Sequence, residues 1–287
     1  MKKGQISVII PTLNSKAHLE RLFISLDQQT YKNFEVIIND DKRTTDNTKI
    51  FSLQYKKKFP VKYIQKNIVT AYGRKMGAKA ANGEYLLHLD ADMKLPGGLL
   101  KSCIEVVEKD QCDGLVIPEL PYGGEGFWTK VKSFERSLYI GDESIECARF
   151  ARTSAYNAIG GHNVKMTFGE DKDFDIRMRN AGYKICRIST GILHNEGNLT
   201  LQKAIKKKFY YGITANVLFS THPEYFLLYA NTILRPAFFR NWRKILDNPW
   251  LSICMIFLKL LESMAGLSGL LYARTPLARG DLKAKWR

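Results

Sequence analysis

Apolar residues follow two alternating rhythms through most of this chain. Short aliphatic runs at Ile6–Ile10, Phe34–Ile38, Val61–Ile64 and Tyr85–Leu89 are bounded by polar or Pro/Gly stretches and read as buried strands. Between them apolar residues recur at helical intervals, as in Leu19, Leu22, Phe23 and Leu26, with Ser15 placed to cap the helix. A second helix follows Thr44–Thr48 and carries Ile50 and Leu53; a third, rich in small residues, covers Thr70–Ala81. Strand, helix and strand with short joins form the repeating unit of a parallel sheet. Further on, the pattern predicts a helix over Leu99–Lys109, a strand over Gly114–Ile117 and a Pro/Gly loop from Pro118 to Gly126. A helix with Trp128, Val131, Phe134 and Leu138 follows, then a strand at Cys147–Ala151 and a glycine turn at Ala158–His162. The segment after Gly169 opens another helix, Gly182 ends it, and Tyr183–Leu193 reads as one extended stretch.

In open sheets of this kind, ligands collect beyond the carboxyl ends of the strands. Asp40-Asp41 closes the second strand, and Asp90-Ala-Asp92 closes the strand at Tyr85–Leu89. Carboxylates this close repel one another unless a cation lies beside them. A hard divalent ion bridging to a diphosphate would relieve that repulsion, since Mg²⁺ commonly takes one or two carboxylates plus substrate phosphates. An isolated Asp-x-Asp is more often a solvated turn. Here, however, Thr12, Asp41, Arg74, Asp90 and Asp92 all come from segments that lead to one sheet edge. Glu170 and Asp171, at a helix start, read by themselves as acids that suit the macrodipole. His194, after an extended stretch, reads by itself as structural.

Composition narrows the partners. Lys and Arg number 44 against 28 Asp and Glu, a formal charge of +16, which implies anionic partners. From Leu199 onward there are 14 Lys and Arg against 4 Asp and Glu, so most of the excess sits in the tail. The five cysteines are scattered without a Cys-x-x-Cys pair, from which reduced thiols in a cytosolic setting are expected, not a disulfide or a zinc site. Met1-Lys-Lys-Gly-Gln runs straight into a strand, and no signal peptide is expected.

The order of these motifs resembles the family 2 glycosyltransferases. Ser7-Val-Ile-Ile-Pro-Thr-Leu-Asn14 is similar to the family's opening strand and loop; Gln29-Thr-Tyr31, Glu35 and Asp40-Asp41 are similar to the stretch that leads into its nucleotide pocket. Gly73-Arg74-Lys-Met-Gly77 and Ala81-Asn-Gly-Glu-Tyr-Leu-Leu-His-Leu-Asp-Ala-Asp92 resemble its core signature. Ile159-Gly160-Gly161-His162, Gly169-Glu170-Asp171, Arg177 and Ala181-Gly-Tyr183 resemble its acceptor-side block. The ordered set, spanning Ile6 to Glu196, is far more specific than any one piece. Two departures stand near the donor: Asp41-Lys-Arg-Thr-Thr-Asp46 is longer and more basic than the usual turn, and Lys75-Met76 replaces a common Asn. No Gln-x-x-Arg-Trp follows Asp171, which argues against a processive synthase.

The resemblance implies an α/β GT-A fold, a Rossmann-like nucleotide-diphospho-sugar transferase sheet; a C-terminal helical, membrane-associated extension lies outside the resemblance and is expected from the charge and apolar residues of the tail. It implies a catalytic domain over 1–198, with a nucleotide-sugar half over 1–117 and an acceptor-side half over 118–198; the basic, apolar helical region expected over 199–287 is read from its own residues. Pro11, Thr12, Asn14, Asp41, Arg74, Asp90 and Asp92 would then bind a UDP- or GDP-sugar donor. Asp92 and His194 would hold Mn²⁺ or Mg²⁺, Asp171 would be the general base, and Gly160, Gly161 and Glu170 would face the acceptor. The expected reaction is inverting transfer of a sugar to a hydroxyl of a glycan or lipid-linked acceptor, in the cytoplasm, peripheral or monotopic on the inner membrane face. A polyprenyl-phosphate sugar synthase of the same fold is the alternative. A nucleic-acid-binding protein, suggested by charge alone, has no recognisable binding motif and is opposed by carboxylates on the ligand face. Pro249–Ala273 is long enough to cross a bilayer, which takes about 20 residues, but contains Lys259 and Glu262. Its aromatic and basic neighbours suit an interfacial helix better, the alternative being a helical subdomain packed on the catalytic core.

Overall fold

A computed structural model of the chain describes residues 1–66, 70–226 and 235–275. The rest of the apolar stretch between Pro223 and Phe239, at 227–234, and the basic residues after Thr275 lie outside the described residues. The chain forms two compact units. One contains Met1–Pro121, Ile140–Val164 and Glu170–Asn195; the other contains Tyr122–Tyr139, Lys165–Gly169 and the chain from Glu196 onward.

The first unit is built on strands β1 (Lys2–Thr12), β2 (Phe34–Asp41), β3 (Val61–Lys66), β4 (Gly83–His88), β5 (Met93–Lys94), β6 (Gly114–Val116), β7 (Glu119–Tyr122), β8 (Ala148–Arg152), β9 (Ile185–Arg187) and β10 (Ile192–Asn195). Seven of them form one sheet in the order β3-β2-β1-β4-β8-β6-β9, and β5-β10-β7 form a second. β1 is parallel to both β2 and β4, so the strand order reverses between the β1–β2–β3 run and β4. That reversal is the switch point where ligands enter such sheets.

Alternation along the strands divides the core. Ile6, Val8 and Ile10 pack with Leu19, Leu22, Phe23 and Leu26, while Ile9, Ile37 and Leu86 face the opposite layer with Tyr156, Phe174 and Met178. Gly77 lets the helix Thr70–Ala80 lie against β1, because a Cβ there would stand 2.4 Å from Ile9 Cγ2. The buried Glu35 ties three segments together, accepting from Ser7 Oγ at 2.8 Å and Asn82 N at 2.7 Å and pairing with Lys62 Nζ at 2.9 Å. Burial alone would raise its carboxyl, but these partners hold it below the ordinary range.

Three expectations are corrected. The predicted Pro118–Gly126 loop contains β7, an edge strand in which Pro121 leaves no interior ladder donor missing. Tyr183–Leu193 is two strands, β9 and β10, which belong to different sheets. Cys112 and Cys186 form a disulfide, with Cα atoms 6.0 Å apart, where reduced thiols were expected. The residues are 74 apart, and only the parallel pairing of β6 with β9, Leu115 against Cys186, brings them together.

The second unit is helical. Leu201–Thr214 and Pro249–Tyr272 approach with backbones nearly touching, since a Cβ on Gly212 would lie 2.0 Å from Gly266 O and one on Gly269 2.1 Å from Phe209 O. The helix Phe127–Leu138 joins them from mid-chain and brings Glu135 into a buried ionic cluster. Glu135 accepts from Lys132 Nζ at 2.7 Å, Lys259 Nζ at 2.8 Å and Tyr139 OH at 2.9 Å, and Glu262 accepts from Lys132 Nζ at 3.0 Å. Removing one partner from a buried pair strands the other charge, at a cost of about 3–5 kcal/mol. Glu135→Ala is therefore expected to lower the unfolding free energy by about that amount, as read from urea melts followed by circular dichroism.

Candidate active site

The carboxyl ends of β1, β2 and β4 set out the donor-side candidates. Register places Thr12 beside Asp40, and Thr12 Oγ1 donates to Asp40 Oδ1 at 2.7 Å. Thr44 Oγ1 donates to the same oxygen at 2.8 Å, and Tyr63 OH donates to Oδ2 at 2.5 Å. Asp40 thus has both oxygens engaged, and burial together with this carboxylate raises the Tyr63 hydroxyl well above its ordinary value. Asp41, one residue on, has a side chain 2% exposed beneath Arg43, which is 65% exposed. Arg43 Nε and Nη2 donate to the two Asp41 oxygens at 2.9 and 3.0 Å. Asn14, at φ 49°, binds the β1 and β2 loops together by accepting from Thr45 N at 2.8 Å. Pro11 pairs with Asn39 on the sheet edge.

The centre of the site is Arg74, buried on the helix Thr70–Ala80. Its Nη2 donates to Asp90 Oδ1 at 2.8 Å, and its Nη1 pairs with Asp171 Oδ1 and lies 3.5 Å from Glu170 Oε1. One guanidinium therefore joins the β4 end to the first turn of the helix Glu170–Asn180. A second, Arg149 of β8, reaches Asp90 Oδ2 at 3.4 Å, pairs with Glu119 Oε1 and lies 3.9 Å from Asp171 Oδ2. Burial alone would raise the Asp90 carboxyl, but Arg74 and Arg149 outweigh it and bring it to about 2. Burial raises the Glu170 carboxyl above its ordinary value, and Arg74 offsets only part of the rise. Acids pushed apart in this way are characteristic of functional sites.

His194, on β10, stands in antiparallel register with Met93, which brings its ring beside Asp92. Nε2 lies 3.4 Å from Asp92 Oδ1, a buried oxygen that accepts no hydrogen bond among the described residues. Among the described residues no three His, Cys, Asp or Glu side chains converge to hold a metal ion by themselves. A buried carboxylate oxygen and an imidazole nitrogen side by side do suit a hard cation whose remaining ligands are diphosphate oxygens and water. Asp92 and His194 fit such an ion on those terms.

Gly160 and Gly161 have φ of 77° and 67°, and a Cβ on Gly161 would meet the Tyr156 ring at 2.5 Å. Arg177 clasps this turn, donating to Ile159 O at 2.8 Å and Gly161 O at 2.7 Å. The turn sets His162 against Tyr156 OH at 3.1 Å, with Nε2 4.0 Å from Asp171 Oδ1. Burial lowers both His162 and His88 well below the ordinary histidine range, so both are neutral. Arg149 and Glu119 carry no sequence signal as site residues: the first is one basic residue in a strand, and the second lies in what reads as a loop.

The mannosyltransferase PcManGT of Pyrobaculum calidifontis, solved in complex with GDP-Man and Mn²⁺, superposes with a TM-score of 0.60 at 13% identity over 98% of this chain and 79% of that one. TarS 1-349 of S. aureus, solved with UDP-GlcNAc, gives 0.55 at 18% identity over 96% and 92%. The fold is GT-A. Residues 7–164 match the model of Glycosyl transferase family 2, and the chain belongs to that family. An uncharacterized glycosyltransferase, YfnE of Bacillus subtilis, is 34% identical over 177 residues, 59% of this chain. The chain matches only 43% of the length of that relative.

A carboxyl depressed in the folded state stabilises the fold above its unfolded pKa, and that contribution is lost as pH falls towards the folded value. For Asp90 the loss is expected between about pH 4 and its folded value of about 2. At roughly 1.4 kcal/mol per unit it amounts to on the order of 2 kcal/mol. Urea melts between pH 7 and pH 2 are expected to show this decline, and Asp90→Asn is expected to remove that component of it.

Proposed function

We propose that this chain is an inverting glycosyltransferase that moves a sugar from a nucleoside-diphosphate donor to a hydroxyl acceptor. The observation that carries the reading is the shared Arg74 guanidinium, which joins Asp90 on the donor side to Asp171 on the acceptor side. Thr12, Asn14, Pro11 and Asp41 would line the nucleoside pocket, with Asp90 towards the ribose. The nucleotide complexes of the two superposed proteins support a nucleotide-sugar donor, UDP- or GDP-linked.

Asp171 is the general base in this reading. Its carboxylate would take the proton from the acceptor hydroxyl as that oxygen attacks the anomeric carbon opposite the leaving diphosphate, which inverts the centre. Arg74 and Arg149 are shared among Asp90, Glu119, Glu170 and Asp171, so an incoming diphosphate meets two guanidiniums already aligned. Its approach to Arg74 would loosen the Arg74 pair with Asp171 and leave that carboxylate to face the acceptor hydroxyl. Gly160 and Gly161 shape the turn on the acceptor side, and Glu170, held more neutral by burial, would line it. Asp92 and His194 would hold Mn²⁺ or Mg²⁺, which when bound supplies Lewis-acid neutralisation of the diphosphate leaving group. Donor and acceptor held in one cleft supply the remaining acceleration through proximity.

The second unit would keep the enzyme on an anionic membrane and select a membrane-borne or lipid-linked acceptor. By length and composition its helix Pro249–Tyr272 is apolar enough to cross a membrane. One face, however, buries Lys259 and Glu262 in the ionic cluster. The other exposes Trp250, Ile253, Phe257, Leu260, Met264, Leu267 and Leu271. A helix bound by charge on one side and bare and apolar on the other suits lying in the interface. Exposed Phe239, Trp242 and Leu246 alternate with Arg240, Arg243 and Lys244 in the preceding helices, which suits acidic headgroups.

Two outcomes test this reading. Asp171→Asn keeps the side-chain shape and is expected to fold and bind donor normally while losing about 10²–10⁴-fold in turnover. Turnover near that of the wild type would point to an acceptor that needs no base, such as an ionised lipid phosphate. With anionic liposomes at low salt the protein is expected to co-sediment, with partial release by high salt and detergent needed for the remainder. Recovery in the supernatant at low salt would mean that the second unit does not dock on lipid.

A further inference from the structure

We propose that Glu119 is a positioning residue for the cation site, fixing the His194 ring so that Nε2 is presented beside Asp92. The inference rests on the reading of Asp92 and His194 as cation ligands. His194 Nδ1 lies 2.5 Å from Glu119 Oε2. An ionised carboxylate only accepts, so the proton of this bond sits on Nδ1. With Nδ1 turned to Glu119, Nε2 is the ring nitrogen that faces Asp92, 3.4 Å from Oδ1. An imidazole nitrogen set beside a buried carboxylate oxygen that accepts no hydrogen bond among the described residues is an arrangement that a cation completes.

Glu119 is itself held. Its other oxygen, Oε1, pairs with Arg149, and Arg149 is in turn held by Asp90 Oδ2 at 3.4 Å. The chain Asp90–Arg149–Glu119–His194–Asp92 therefore runs from one acid of the Asp-x-Asp to the other through side chains of β8, β7 and β10. The two carboxylates are one residue apart in sequence, yet one is neutralised by arginines and the other is left to a histidine. Without Glu119 the His194 ring would lose the bond that selects its tautomer and rotation. Partners of this kind beside a metal-ligating histidine are typically worth about 10- to 100-fold in metal affinity.

The test uses the full chain and Mn²⁺, with free ion counted by electron paramagnetic resonance, alone and with UDP or GDP added. His194→Ala and Glu119→Ala are each expected to weaken Mn²⁺ binding about 10- to 100-fold. The double variant is expected to be no weaker than His194→Ala alone, because Glu119 acts through His194. Glu119→Gln, which keeps an oxygen for Nδ1–H, is expected to recover most of the affinity. Where Glu119→Ala fails to fold, Glu119→Asp keeps a charge for Arg149 while withdrawing the oxygen from Nδ1, and carries the same expectation as Ala. If His194→Ala weakens Mn²⁺ binding while a folded Glu119→Ala or Glu119→Asp protein binds as the wild type does, the positioning role is wrong and the cation site stands. Additive losses in the double variant also overturn it. If His194→Ala leaves Mn²⁺ binding unchanged, the cation reading fails and the proposal falls with it.

Discussion

The Arg74 guanidinium is the contact on which the first unit's candidate site depends. It is almost wholly buried and is shared among Asp90, Glu170 and Asp171, which arrive from the end of β4 and the start of a helix far along the chain. A buried cation is tolerated only where carboxylates compensate it, and buried carboxylates are tolerated only where a cation does. Each group therefore holds the others in the site. Arginine suits this place because its planar fork gives separate donors to separate carboxylates, which the point charge of lysine does not. Gly77, on the same helix, allows the close approach to β1 that brings Arg74 to the sheet edge.

Arg149 extends the network and divides the Asp-x-Asp. Asp90 receives two guanidiniums and is kept ionised, whereas among the described residues Asp92 faces the His194 ring. Neighbouring acids of identical chemistry thus acquire different environments. In the proposed reaction the first organises the donor side and the second is left for a cation. The neutral pair His162 and Tyr156 stands behind Asp171, placed there by the glycine turn that Arg177 clasps. The site is a polar network in a low-dielectric setting, where satisfied partners rigidify the arrangement and a lost one is costly.

The second unit repeats the physics with opposite emphasis. Its last long helix looks uniformly apolar until its faces are separated. Glycines bring its backbone against Leu201–Thr214, and Lys259 and Glu262 are compensated by Glu135 and Lys132. These contacts fix which face is left bare. The apolar face is then a consequence of where the charges are paired, and the surrounding arginines and lysines give that face an electrostatic preference.

Much of the placement of the candidate site was legible from residues alone. β1, β2 and β4 are short aliphatic runs with sharp polar ends, and their acids fall where a parallel sheet places ligands, so periodicity and local stops were enough. The Gly160–Gly161 turn and the Glu170–Asp171 helix start were legible for the same local reason. Arg149, Glu119, the Cys112–Cys186 disulfide and the union of Phe127–Leu138 with the tail helices were not. Each depends on a pairing between distant segments, β8 against β4, β7 beside β10, β6 against β9, or one helix face against another. Register along a strand has a period of two residues and can be read locally. Which strand lies next to which is decided by packing of the whole unit, and the partners of these residues follow from that packing alone.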